Sequence, residues 1–230
     1  MPLAALFLQF IKEKDEALLD PLALCGDALN LIVAGSHSTA AALTMLFYEL
    51  VQRPLIQSKL REGLLSARNS PKGPEQEDNA DYDLPYLDAC IEEILRLYPT
   101  VLTGGIRQTV DKGFMIGGQW IPPNTVIVAP RRSISRLESA FGQPLEFIPE
   151  RWTTRGEMVK DRRASSPFAH GRHTCPGKRL GLLEFRIITA MIITRFKFSI
   201  AGNKTRVVGD LQDAFTASPG HLLLNFTPIY

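Results

Sequence analysis

Residues 167–177 read PFAHGRHTCPG, and this stretch decides the fold assignment of the 230-residue chain. Cys175 stands immediately before a run in which apolar residues dominate at helical spacing, so it marks the start of a predicted helix. Pro176 suits the first helical position, where a missing N–H group costs nothing. The positive end of a helix dipole stabilises a thiolate, the form of cysteine that ligates metals. Cys175 is therefore a candidate metal ligand, although a lone cysteine before a helix is by itself better explained as a buried structural residue.

The stretch around Cys175 resembles the haem-binding signature of cytochrome P450 monooxygenases. Four positions match that signature as they stand: Phe168, Gly171, Cys175 and Gly177. His173 stands where the family usually carries Arg, a departure that the sterol 14-demethylase branch shares. The resemblance implies haem b (iron protoporphyrin IX) as the cofactor, with the Cys175 thiolate as the axial ligand of its iron. It also implies that His173 contacts a haem propionate.

Two further segments resemble the family in the expected order. Glu93 and Arg96 stand three residues apart in a run with helical apolar spacing over residues 87–98, as in the family's Glu-x-x-Arg helix. Residues 149–152 read PERW and resemble the segment that supplies the family's second arginine. The resemblance implies a partly buried network of Glu93, Arg96 and Arg151 that fixes the cysteine loop. Taken alone, a Glu and an Arg at this spacing are more simply explained as a solvated pair.

A fourth segment, AGSHST at residues 34–39, resembles the oxygen-binding motif of the family's I helix. The resemblance implies that Gly35 makes room for dioxygen. It further implies that the hydroxyl of Ser38, favoured over that of Thr39 by alignment, delivers protons there. His37 stands where the family has an acid, and it could relay protons near neutral pH without supplying a carboxylate charge. A small-residue packing patch is the alternative interpretation.

The four matches extend over essentially the whole chain but over only the C-terminal half of the family. They imply a mainly α fold with small β-sheets, the C-terminal portion of the cytochrome P450 fold from its I helix to its L helix, with short hairpins and the Cys-ligand loop. We expect residues 1–230 to form a single domain, with the family's N-terminal half and membrane anchor absent. For full-length relatives the resemblance implies the cytosolic face of the endoplasmic reticulum membrane. The apolar N-terminus, residues 1–11, is too short to span a bilayer.

Local patterns predict the secondary structure that connects these motifs. The predicted helices cover residues 21–51, 54–67, 87–98 and 176–195. Predicted hairpins join residues 114–116 to 119–121 through Gly117-Gly118, and residues 215–219 to 222–226; a further strand is predicted over 125–129. The polar segment 66–83, which contains Pro, Gly and many charges, predicts a surface connection.

Composition narrows the classes of function. An apolar content of 45% and a charged content of 22% indicate a globular protein, and a net charge of +2 argues against a nucleic-acid partner. The three widely spaced cysteines, Cys25, Cys90 and Cys175, argue against a disulfide framework and for a reducing compartment. His170, His173 and Cys175 invite a zinc interpretation, but structural zinc takes four ligands, usually in two close pairs, and the second pair is missing.

The function that the resemblance implies is haem-thiolate oxygenation, in which one oxygen atom from O2 enters a small organic, hydrophobic substrate. An NADPH-dependent P450 reductase is implied as the electron donor, with fungal secondary metabolism or xenobiotic breakdown as the setting. Arg107 matches an arginine that reaches a haem propionate, and residues 101–103 match substrate contacts, although both could be ordinary surface and core positions. Two alternatives stay open: a truncated, non-catalytic P450 fragment, and a haem-binding protein without turnover.

Overall fold

The computed structural model describes residues 21–68, 84–202 and 206–229. The apolar N-terminus and most of the polar segment predicted as a surface connection lie outside the described residues. Two compact units, residues 1–37 and 38–230, divide the chain, and one long helix contains the boundary between them.

The described part of the chain is rich in helices, as the sequence predicts. Their bounds are α1 (Pro21–Val51), α2 (Pro54–Arg68), α3 (Pro85–Leu97), α4 (Arg131–Ile134) and α5 (Lys178–Arg195). The predictions for α1 and α2 are confirmed almost to the residue. Helix α5 begins two residues later than predicted, because Gly177 is its N-cap and Pro176 belongs to the preceding turn.

Within the described ranges the strands are short and form four separate two-stranded antiparallel ladders. They are β1 (Ile106–Gln108) with β4 (Val126–Val128), β2 (Phe114–Ile116) with β3 (Gln119–Ile121), β5 (Phe196–Ile200) with β8 (Leu224–Pro228), and β6 (Gln212–Ala214) with β7 (Thr216–Ser218). The predicted β2–β3 hairpin is confirmed. Gly117 and Gly118 both have positive φ, as a type I′ turn requires.

The second predicted hairpin, residues 215–219 with 222–226, is wrong. Strand β7 pairs instead with β6 across Phe215, and β8 pairs with β5, which lies more than twenty residues earlier. The β5–β8 pair is stabilised by aromatic contact, since the Phe198 and Phe226 rings lie 5.9 Å apart. A pairing between distant segments leaves no local turn signal, so the sequence pattern favoured the nearer partner.

Helices α1, α2, α3 and α5 build the hydrophobic core of the second unit. The buried side chains include Met45, Leu46, Leu50, Leu60, Ile91, Ile94, Phe185 and Ile193. Their spacing of three and four residues in α1 and α3 is that of one helix face turned toward neighbours. Each such side chain contributes about 1.5–3 kcal/mol when it leaves water, so the packing of these helices fixes the loops attached to them.

The burial of side chains on helix α1 differs along its length. By length and composition, Leu22–Val51 is long and apolar enough to cross a membrane. Core helices of soluble proteins satisfy the same test, and in the second unit Leu46 and Leu50 of this helix are fully buried. In the first unit, large apolar side chains such as Leu22 and Ile32 are exposed.

Candidate functional site

The loop before α5 is closed by its own backbone. The Cys175 N–H donates to the Phe168 carbonyl over 2.8 Å, and the Thr174 hydroxyl donates to the Gly171 carbonyl over 2.7 Å. Phe168 is half-buried and packs against the hydrophobic core, whereas Cys175 is exposed. The loop is therefore fixed at Phe168 and presents the sulfur of Cys175 at the surface.

Backbone conformation explains one glycine of this loop, and the space beside the Cys175 sulfur explains another. Gly171 has φ +69°, in the left-handed region where a side chain is strained, and a Cβ there would meet nothing within 4 Å. The constraint at Gly171 is thus conformational, and the surface above it is open. A Cβ at Gly177 would lie 3.8 Å from the Cys175 sulfur, so glycine keeps one side of the sulfur clear.

The N-terminus of α5 follows the cysteine loop directly, and the first of its N–H groups, on Lys178, donates to the Cys175 carbonyl over 3.4 Å. Its N-cap is Gly177, which offers no side chain to satisfy them. The positive end of an 18-residue helix therefore lies two residues from Cys175, and it favours negative charge there. This arrangement suits a thiolate.

Glu93, Arg96 and Arg151 come together as a buried network. Arg96 donates to both Glu93 oxygens, from Nε over 2.9 Å and from Nη2 over 2.8 Å, and Arg151 Nε donates to Glu93 Oε1 over 2.8 Å. All three side chains are at most 1% exposed. Glu93 also accepts from the indole N–H of Trp152 (2.8 Å) and from the backbone N–H of Ile148 (3.0 Å), which makes five hydrogen bonds.

The guanidinium groups of Arg96 and Arg151 also donate to main-chain oxygens of one irregular segment. Arg96 donates to the carbonyls of Ser135, Pro144 and Glu146, and Arg151 donates to those of Gly142, Gln143 and Glu146. Each arginine therefore satisfies backbone groups that have no strand or helix partner. The network joins α3 to residues 135–152, which precede the cysteine loop in the chain.

Arg107 and Arg131 form a second cationic feature. A Cβ at Gly105 would lie 2.8 Å from the Arg107 guanidinium, so glycine lets this side chain fold back onto the Ile106 carbonyl. Arg131 donates to the Pro167 carbonyl (3.4 Å), next to the cysteine loop. Burial, followed by repulsion from Arg107, lowers the pKa of Arg131. Neither arginine has a carboxylate partner among the residues that the structure describes, so the pair suits an external anion.

The oxygen-motif residues lie on α1. In the first unit, Gly35 and His37 are exposed. In the second unit, Ser38 and Thr39 are half-buried, and the Thr39 hydroxyl donates to Glu184 Oε2 of α5 over 3.2 Å. His173 is exposed, and its Nε2 accepts from Arg172 Nε over 3.2 Å.

The comparisons with known proteins identify the family. The family model described as Cytochrome P450 matches residues 1–225. This chain belongs to the cytochrome P450 family. It is 40% identical over 210 residues to the cytochrome P450 monooxygenase orf5 of Eupenicillium brefeldianum, covering 90% of this chain and 42% of that protein. It is 37% identical over 173 residues to the tryprostatin B 6-hydroxylase of Aspergillus fumigatus, covering 75% of this chain and 31% of that protein.

A solved P450 structure shows the same fold. Retinoic acid-bound cyanobacterial CYP120A1 superposes with a TM-score of 0.76 at 24% identity, covering 87% of this chain and 45% of that chain. The predicted fold class, mainly helical with small sheets, is confirmed by this match. The chain thus spans less than half the length of the P450 relatives described above.

A haem fits the residues that this P450 chain presents. The exposed Cys175 sulfur supplies one soft ligand, the clear space beside Gly177 and above Gly171 admits a flat group, and Arg107 and Arg131 suit carboxylates. In the described ranges, no three His, Cys, Asp or Glu side chains cluster as a multi-ligand metal site would require. A single thiolate ligand is what haem iron needs from this side.

Sequence reasoning missed three contributors. Arg131 follows β4 as one of two adjacent arginines, and Trp152 stood in the PERW segment without an assigned contact. Glu184 lies nine residues after Cys175, and its only signal was a carboxylate in a helical run dominated by apolar residues.

Proposed function

We propose that this chain carries the haem-thiolate centre of a monooxygenase that inserts one oxygen atom from O2 into a small hydrophobic molecule. The observation that carries this proposal is the cysteine loop. Its backbone closes between Cys175 and Phe168, and its sulfur is exposed at the uncapped N-terminus of α5. Membership of the P450 family supports the same conclusion.

The cofactor of this proposal is haem b, which supplies the oxygen-activating chemistry when bound. The Cys175 thiolate would hold the iron, and the helix N-terminus would offset part of the thiolate charge. Arg107, Arg131 and His173 are the cationic or hydrogen-bonding groups that would hold the two propionates. The Glu93 network fixes the polypeptide that leads to the loop, because it binds the main chain of residues 135–152.

On the distal side, the proposal assigns Gly35 to make room for dioxygen. The Ser38 hydroxyl is assigned to deliver protons, and His37 is assigned to relay them. Thr39 was the less favoured hydroxyl, and its bond to Glu184 engages it elsewhere. Alignment with the family motif favours Ser38 as the proton-delivering group.

The substrate class and partners follow from the relatives. One relative is a hydroxylase of tryprostatin B, and others from fungi are called monooxygenases, which supports hydroxylation of a hydrophobic natural product. Leu102 and Thr103 line a cleft of ≈ 390 Å³ with Pro130 and Asp213, where substrate contacts are expected. An NADPH-dependent reductase is the proposed electron donor, at the cytosolic face of the endoplasmic reticulum.

The reduced, carbon monoxide difference spectrum of the haem-loaded chain tests the proposal. We expect a Soret band at the position characteristic of thiolate ligation. Cys175→Ala should abolish this band, whereas Cys25→Ala, which removes another exposed thiol, should retain it. A Cys175→Ala protein that keeps the band would refute the assignment of the ligand.

A non-catalytic fragment is the second candidate, and the exposed apolar surface of the second unit favours it. Ile187 and Met191 of α5 are each nearly half exposed, and Val126 and Ile106 of the β1–β4 ladder are exposed by more than 60%. Such surface favours association with another polypeptide. A chain that takes up no haem and sediments as an oligomer would support this candidate over the enzyme.

A further inference from the structure

One hydrogen bond joins the helix that carries the oxygen motif to the helix that follows the cysteine loop. The Thr39 hydroxyl of α1 donates to Glu184 Oε2 of α5 over 3.2 Å, across 145 positions of sequence. Both side chains are half-buried, so the bond is partly shielded from water. Because it connects two side chains on separate helices, it constrains how α1 and α5 face each other.

Glu184 is not held there by an ion pair. No salt bridge involving Glu184 occurs in the described part of the chain, and the neighbouring cation, Arg186, forms a bidentate pair with Asp88 at 2.7 and 2.8 Å. The buried side chains of α5 are Phe185, Thr189 and Ile193, and Glu184 lies beside this stripe. The Thr39 hydroxyl is therefore the side-chain donor that the described residues offer to this carboxylate.

Helix geometry relates this bond to the proposed site. Helix α5 begins three residues after Cys175, and Glu184 lies six residues into it, about 9 Å along the axis at 1.5 Å per residue. On α1, Ser38 directly precedes Thr39, so their side chains point about 100° apart around the same helix. Fixing the direction of Thr39 therefore fixes the direction of Ser38.

We propose that Glu184 is a positioning residue that acts through Thr39 to set where the Ser38 hydroxyl lies with respect to the Cys175 sulfur. This inference rests on the proposed haem-thiolate function. It gives the two adjacent hydroxyls different tasks: Thr39 fixes the rotation of the helix, and Ser38 performs proton delivery. It also gives a role to a carboxylate in a chain that has His37 where the family has an acid.

The test uses the haem-loaded, 230-residue chain with carbon monoxide bound to the reduced iron. The C–O stretching band in the infrared reports polar groups near the ligand, and a change of overall stability alone leaves it in place. Thr39→Val keeps the side-chain shape without the hydroxyl, and we expect a shifted and broadened band. Glu184→Leu should give the same change, whereas Glu184→Gln, which keeps an acceptor oxygen, should restore the wild-type band.

Two further variants separate positioning from a general structural effect. Thr44→Val removes a hydroxyl whose hydrogen bond among the described residues lies within α1, to the Ala40 carbonyl at 2.8 Å, and it should leave the band unchanged. Ser38→Ala should shift the band directly. Adding Glu184→Leu to Ser38→Ala should then cause no further shift, because the hydroxyl that Glu184 positions is already gone.

The outcomes distinguish the two proposals. A wild-type chain without the thiolate Soret band overturns the haem-thiolate function and, with it, the role of Glu184. A normal Soret band combined with an unchanged C–O band in Thr39→Val overturns only the positioning role. Additive shifts in the Ser38→Ala and Glu184→Leu double variant, or failure of Glu184→Gln to restore the band, also overturn it. Thr39→Val carries the test alone if Glu184→Leu does not fold.

Discussion

Glu93→Gln perturbs the buried network while keeping the shape of the side chain. In the folded protein, Glu93 Oε1 accepts from Arg96, Arg151 and Ile148, and Oε2 accepts from Arg96 and Trp152. An amide placed with its oxygen at the first position turns an NH2 group toward the two donors at the second. Those donors then lose their acceptor, and two buried guanidinium groups lose the charge that compensates them.

The size of the effect follows from these contacts. Both lost bonds are made to a charged carboxylate, and each such hydrogen bond contributes about 1.5–3 kcal/mol, so the two together amount to about 3–6 kcal/mol. Breaking a buried ion pair by removing one partner costs about 3–5 kcal/mol, which agrees. Because whole domains are stable by only about 5–15 kcal/mol, Glu93→Gln should remove a large part of the free energy of unfolding.

Urea unfolding followed by circular dichroism measures this loss. Glu92→Gln is a matched control, because Glu92 lies next to Glu93 on α3 and makes no hydrogen bond or ion pair with any residue of the described ranges. The control should unfold within about 0.5 kcal/mol of the wild type. A loss below about 1 kcal/mol in Glu93→Gln, with an unchanged dependence on urea, would refute the reasoning about the network.

Three other predictions concern the loop, the core and the cationic pair. Gly171→Ala should lower the free energy of unfolding by about 1–2 kcal/mol, because φ is +69°, whereas Gly181→Ala within α5 should raise it by about 0.5–1 kcal/mol; denaturant titration compares them. Burial raises the pKa of Glu49 above 4.5, although the charge of Arg53 opposes this shift. The folded protein therefore holds the Glu49 proton more tightly than the unfolded chain, and the wild type should lose stability relative to Glu49→Gln as the pH rises from 4.5 through the raised pKa. Equal dependence of the free energy of unfolding on pH in the two proteins would contradict this. Replacing Arg107 or Arg131 by Gln should weaken haem binding, measured by Soret titration, and unaltered affinity in both would contradict their propionate role.

Local features of the sequence predicted local structure well. Helix α2 follows from apolar spacing after Pro54, and the β2–β3 hairpin follows from two glycines that tolerate positive φ. The start of α5 was misplaced by two residues, because Pro176 satisfies the rule for a first helical position while the chain still turns there. The turn before α5 follows a loop that is closed by the hydrogen bond from the Cys175 N–H to the Phe168 carbonyl.

Contacts between distant segments were only partly predictable. The family motifs named Glu93, Arg96 and Arg151 together, and the structure places them in one network. By contrast, the bond from Thr39 to Glu184 joins residues far apart in the sequence, and no periodicity or turn signal relates them. Residue types indicate which groups can bind, but packing of whole helices decides which distant groups meet.

The attachment of the irregular segment to Arg96 and Arg151 has an evolutionary consequence. Both guanidinium groups bind carbonyl oxygens, which every amino acid possesses, and the exposed side chains of Gln143, Leu145 and Glu146 point into solvent. Substitutions can therefore change the outer side chains of this segment while its backbone conformation is preserved. The chemistry of this surface can thus change while the interior architecture stays the same.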